Sequence, residues 1–161
     1  MTNDELADQI CRQHERHYSR RPKEGLIQTC MIFHGDGQAE LVQCPWRDKT
    51  ERILVLEFLR QRVKEVSATK YAFWAEAWVS KGTLDKPLNE QLLPSQDPNR
   101  EEMVFTIVVE PGQPVVTRAQ RIRRDAITGK VLALIKEQPE AFPIMEGPLL
   151  DLLGDRSGTQ H

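Results

Sequence analysis

The chain has 161 residues, 39% hydrophobic and 29% charged, with a formal net charge of -2. That suffices for one domain whose core needs no disulfide or metal staple; it is too apolar for a disordered chain and too balanced in charge for a dedicated nucleic-acid binder. Cys11, Cys30 and Cys44 make no disulfide framework, the opening MTNDELADQ lacks the basic and apolar regions of a signal peptide, and no apolar run approaches the roughly 20 residues of a membrane span. The expected setting is therefore reducing and cytoplasmic, with no membrane.

Thr2 with Glu5 has the form of a capping box, and Leu6, Ile10, His14 and Tyr18 follow at spacing four, which predicts a helix over residues 3 to 19. GLIQTCMIFH and AELVQC flank Gly35-Asp36-Gly37 and predict a β-hairpin, with left-handed backbone geometry explaining both glycines. Asp48 is a good N-cap, and Ile53, Leu56, Leu59, Val63 and Val66 predict a central helix over residues 49 to 67. Leu54 and Phe58 widen its apolar stripe, so this helix is expected to lie against something large.

YAFWAEAWV then reads as a strand, EMVFTIVVE and VVTRAQRIR as two more joined by Pro111-Gly112-Gln113-Pro114, while KVLALIKE fits either a strand or a helix. From Pro139 onward, spaced prolines, a short apolar LLDLL and a polar end suggest a C-terminal extension. The expected architecture is a single α+β domain over residues 1 to 138, a mainly antiparallel sheet packed on one central helix with an additional N-terminal helix, followed by an extension over 139 to 161.

Strand alternation places Tyr71, Phe73, Ala75, Ala77 and Val79 on one face, assigned to the central helix, and Ala72, Trp74, Glu76 and Trp78 on the other. The next strand carries Val104 and Val108 on that second face, so something must cover it: the first helix, the C-terminal segment or another copy of the chain. Glu76 between two indoles could be a desolvated general acid or a cation-binding group, whereas the structural alternative pairs it with a cross-strand arginine.

Cys11, His14 and His17, with Cys30 and His34, are potential zinc ligands, yet no knuckle spacing brings four together, so no metal or other cofactor is expected. Arg118, Arg121, Arg123, Arg124 and Lys130 are opposed by Asp125 alone, and Arg12, Arg16, Arg20, Arg21 and Lys23 form a second basic group. These could hold phosphates, but neither cluster has the interleaved aromatics of a single-strand binder. Phosphate-loop, dinucleotide-binding, zinc-protease and serine-hydrolase signatures are absent.

Glu76-Ala77-Trp78, the stretch from Pro94 to Glu102 and Arg121-Ile122-Arg123-Arg124 together resemble a group of small uncharacterised bacterial and phage-borne proteins, in which an E-A-W strand is joined to a second strand by a P-S-x-x-P-x-R-x-E loop. The resemblance covers residues 70 to 125, supports pairing of those strands and implies no activity, cofactor or catalytic residue. The loop is expected to anchor through Arg100 on a carboxylate, with Glu76 and Glu102 as candidates.

The reading that joins these features is a non-enzymatic interaction protein that self-associates, as a homodimer or larger homo-oligomer, or binds a macromolecular partner in a phage or mobile-element accessory role. Trp74, Glu76, Trp78, Arg100, Arg118, Arg121 and Arg123 are its candidate interaction residues, and no catalytic residue is assigned. The alternatives are a small enzyme or ligand-binding domain using Glu76 with Arg118, Arg121 or Arg123, and weak nucleic-acid binding by the arginine clusters.

Overall fold

The computed structural model of the chain describes residues 1–79 and 98–137. Most of the loop beginning at Pro94 and the C-terminal extension with LLDLL lie outside the described residues. Helix α1 spans Asn3–Arg20, and strands β1 (Thr29–Phe33) and β2 (Ala39–Gln43) form the hairpin. Helix α2 (Lys49–Glu65) leads into β3 (Lys70–Val79), β4 (Glu101–Val109), β5 (Val116–Arg124) and β6 (Val131–Glu137). KVLALIKE is thus a strand: it extends a sheet edge along β5, and that pairing, which local composition does not encode, decides its state.

Both helices begin where side-chain caps satisfy their first amides. Thr2 Oγ1 accepts from Glu5 N–H at 3.0 Å, and an Asp48 carboxylate oxygen accepts from Glu51 N–H at 2.8 Å. The six strands lie in the order β2-β1-β3-β4-β5-β6, every neighbouring pair antiparallel. Chain direction therefore alternates across the sheet, and α2 carries the chain from β2 past β1 to β3.

Strand alternation sorts the core into two layers. On one face Cys30, Ile32, Tyr71, Phe73, Ile107 and Val109 pack with Leu56, Leu59 and Val63 of α2. Trp46, just before α2, stacks on Phe73 with ring centroids 6.0 Å apart. On the other face Leu6, Ala7 and Ile10 of α1 pack on Ala72 and Val108, while Tyr18 joins Val104 and Ile122. Among the described residues, the chain's own first helix, one of the three covers that strand parity leaves open, packs over Ala72, Val104 and Val108 of the second face, while Trp78 stays half exposed.

Two local expectations change. Gly37 has the left-handed backbone of the hairpin turn (φ +90°), but Gly35 serves a close approach: a Cβ there would sit 3.0 Å from the Ser67 carbonyl oxygen, beside the Gly35 N–H to Val66 carbonyl hydrogen bond. The core stripe of α2 is also narrower than its composition suggests. Leu56, Leu59 and Val63 are buried, whereas Ile53, Leu54 and Phe58 remain exposed.

Candidate functional site

Glu76 occupies the middle of the α1-covered face, opposite Val104 on β4. Its Oε1 accepts from the Tyr18 hydroxyl at the end of α1 and from the Leu26 backbone N–H beyond it. Gly25 permits this approach, because a Cβ there would lie 3.1 Å from Oε1. Neither of these two donors is an arginine, though the charge of Arg124 reaches the carboxylate. Burial, followed by the hydrogen bond to Glu76, holds the Tyr18 phenol well above its ordinary pKa, so it remains a donor. The chemistry of this pair is tethering: the carboxylate collects donors from the segment that leaves α1.

The two tryptophans have different environments. Trp74 packs against the α1 cluster and receives the His14 ring edge-on at 5.5 Å. His14 is buried, with Nδ1 3.3 Å from Gln120 Oε1, while Gln120 Nε2 donates to the Cys11 carbonyl at 3.4 Å. An amide oxygen only accepts, so this arrangement places the imidazole proton on Nδ1. Burial lowers the His14 pKa from 6.5 to about 4, leaving a neutral ring. Trp78, toward the end of β3, is half exposed, and the Arg100 guanidinium lies over its ring at 4.3 Å.

Arg100 therefore does not point freely into solvent. Separately, Glu76 holds Tyr18 and Leu26, and Glu102 accepts from Arg124 Nε at 2.6 Å. The contiguous basic run is also divided by strand alternation. Arg118 and Arg124 lie on the α1 face, and Arg121 and Arg123 on the opposite one. Arg118 clamps α1 through Asp4 at 2.8 Å and Asp8 at 3.0 Å, and Arg121 pairs with Glu137 at 3.0 Å. Arg121 and Arg123 thus lie on the face opposite Glu76, while Arg118, on the same face as Glu76, is held by Asp4 and Asp8.

The proposed metal ligands are also dispersed. His17 Nε2 meets the Glu24 carbonyl at 2.9 Å, His34 Nε2 lies 3.2 Å from Glu40, and Cys30 and Cys44 share the α2-side core. Among the described residues, no three His, Cys, Asp or Glu side chains gather as a metal-binding group. A cleft of about 180 Å³ between α1 and β5 is lined by Cys11, Arg118 and Lys136 among others. It is smaller than the roughly 300 Å³ at which ligand pockets begin. A wider cleft of about 360 Å³ beside Trp78 includes Arg121 and Arg124, both already paired with carboxylates.

The surface that sequence reasoning missed is the outer side of α2. Leu54 is 61% and Phe58 56% exposed, one turn apart, with Ile53 on their flank. Their angular positions are legible in the sequence, since 100° per residue puts them roughly opposite Leu56, Leu59 and Val63. Composition conceals this, because a helix apolar on two sides resembles one with a single wide stripe. Among the described residues, no helix is long and apolar enough to cross a membrane. No family model, curated protein or solved structure matches the chain.

Proposed function

We propose that this chain is a non-enzymatic interaction protein whose docking surface is the outer face of α2. The observation that carries the reading is exposure of Leu54 and Phe58 on a regular helix whose opposite stripe is already buried in the core. Two large apolar groups one turn apart are the usual anchors for a helix or groove of another protein. Engagement of Glu76, Arg118, Arg121 and Arg124 in tethering contacts supports the same reading, because it commits those polar groups to the fold.

The test compares proteins retained by the full chain with those retained by Leu54→Glu and Phe58→Glu variants, each first checked for unchanged unfolding. Loss of a specific partner, including the chain itself, in both variants is expected. A partner set unchanged by both substitutions overturns the assignment of this face.

A further inference from the structure

The outer stripe of α2 has an order that can be read against itself. Arg47, Glu51, Leu54, Phe58, Gln61 and Glu65 succeed one another at spacings of four, three, four, three and four, the seam periodicity of paired helices. At 100° per residue they fall on one side of the helix, away from Leu56, Leu59 and Val63. Arg47 precedes the N-cap, but its guanidinium is held on Glu51 at 3.0 Å and thereby lies over the first turn. The Arg47 side chain is 88% exposed and that of Glu65 49%. Within its own helix Glu65 pairs with Arg62 at 3.2 Å and accepts from Gln61 Nε2 at 3.4 Å, contacts that Arg47 of a second copy would share.

Resting on the interaction reading above, we propose that the occupant of this face is a second copy of the chain, with the two α2 helices packed antiparallel about a two-fold axis level with Leu56. Such an axis sets Leu54 against Phe58 of the second copy, Glu51 against Gln61 and Arg47 against Glu65, and each pairing occurs twice because the interface is isologous. The apolar pair is central, the amide meets a carboxylate on either side, and opposite charges close both ends. A parallel arrangement would instead stack each residue on itself, setting Glu51 on Glu51 and Glu65 on Glu65.

One group opposes the pairing. Glu57 flanks the seam, and the axis brings its two copies toward each other, which weakens the dimer. A single helix-to-helix seam also buries less than the roughly 1,200 Å² of a standard interface, so association is in the micromolar range and depends on concentration.

Sedimentation equilibrium of the purified full chain, from about 1 to 300 μM to bracket that range, tests the proposal. The expected result is a monomer–dimer equilibrium abolished by Phe58→Glu, weakened about tenfold by Arg47→Glu, restored by Arg47→Glu combined with Glu65→Arg, and tightened by Glu57→Gln. Circular dichroism verifies that each variant keeps its helices. A monomer throughout, a dimer indifferent to Phe58→Glu, or a charge-reversed double variant that does not recover association overturns it. A monomeric chain that still loses a different protein partner through Leu54→Glu would overturn this pairing while leaving the interaction reading intact.

Discussion

The Tyr18 hydroxyl, on the last turns of α1, donates to the Glu76 carboxylate in the middle of β3, and the Leu26 backbone N–H donates to the same oxygen. One part-buried acid thus joins the helix end, the segment after it and the sheet. Tyr18→Phe removes one donor while retaining the ring, and should destabilise the chain by about 1.5–3 kcal/mol, the range for a hydrogen bond to a charged group. Glu76→Gln weakens both bonds but keeps an acceptor. The double variant should cost less than the two single losses combined, measured by urea unfolding; strict additivity would show that the two residues do not act as a unit.

His14 predicts a pH dependence with a definite sign. Its pKa is lowered from 6.5 to about 4 by burial, so between those values the unfolded chain holds a proton that the folded chain refuses. The stability this group supports is complete above its unfolded pKa and is lost as pH falls from 6.5 toward 4. At pH 5 the loss should be about 2 kcal/mol relative to pH 7.5. Urea midpoints at both pH values, for the natural chain and for His14→Leu, measure it; a slope that persists unchanged in the variant would assign the effect to other groups.

Leu59 and Leu54 have the same side chain and sit five residues apart on α2, yet one is fully buried and the other 61% exposed. Leu59→Ala should cost about 2–5 kcal/mol through lost burial and a residual cavity. Leu54→Ala, measured where the chain is dilute, should stay within about 0.5 kcal/mol. Equal losses would mean that the outer face of α2 is packed within the chain.

The thiols should react in a defined order. Cys30 and Cys44 are buried, with burial pushing Cys44 up to about 11 and Cys30 higher still, while Cys11 is partly accessible and shifted upward by the same cause. Iodoacetamide at neutral pH should modify Cys11 slowly and leave the other two protected until denaturant is added, as read by mass spectrometry. Rapid labelling of Cys30 in the native protein would contradict the packing beneath α2.

Local chemistry determined much of this molecule from the sequence: the Thr2 and Asp48 caps, both helices to within two residues of their observed ends, the hairpin, and the assignment of Tyr71 and Phe73 to one face and Trp74, Glu76 and Trp78 to the other. Caps and alternation act over a few residues, so they are legible without knowledge of the rest of the chain. Only the tertiary structure decided which helix packs on the second face, that Glu76 meets Tyr18 58 positions away, that α2 leaves Leu54 and Phe58 outside, and that carboxylates from α1, β4 and β6 hold Arg118, Arg124 and Arg121 of β5. Those outcomes depend on contacts between distant segments, where the partner of a charge or the cover of an apolar face is chosen by sheet order and helix placement, which no local pattern encodes.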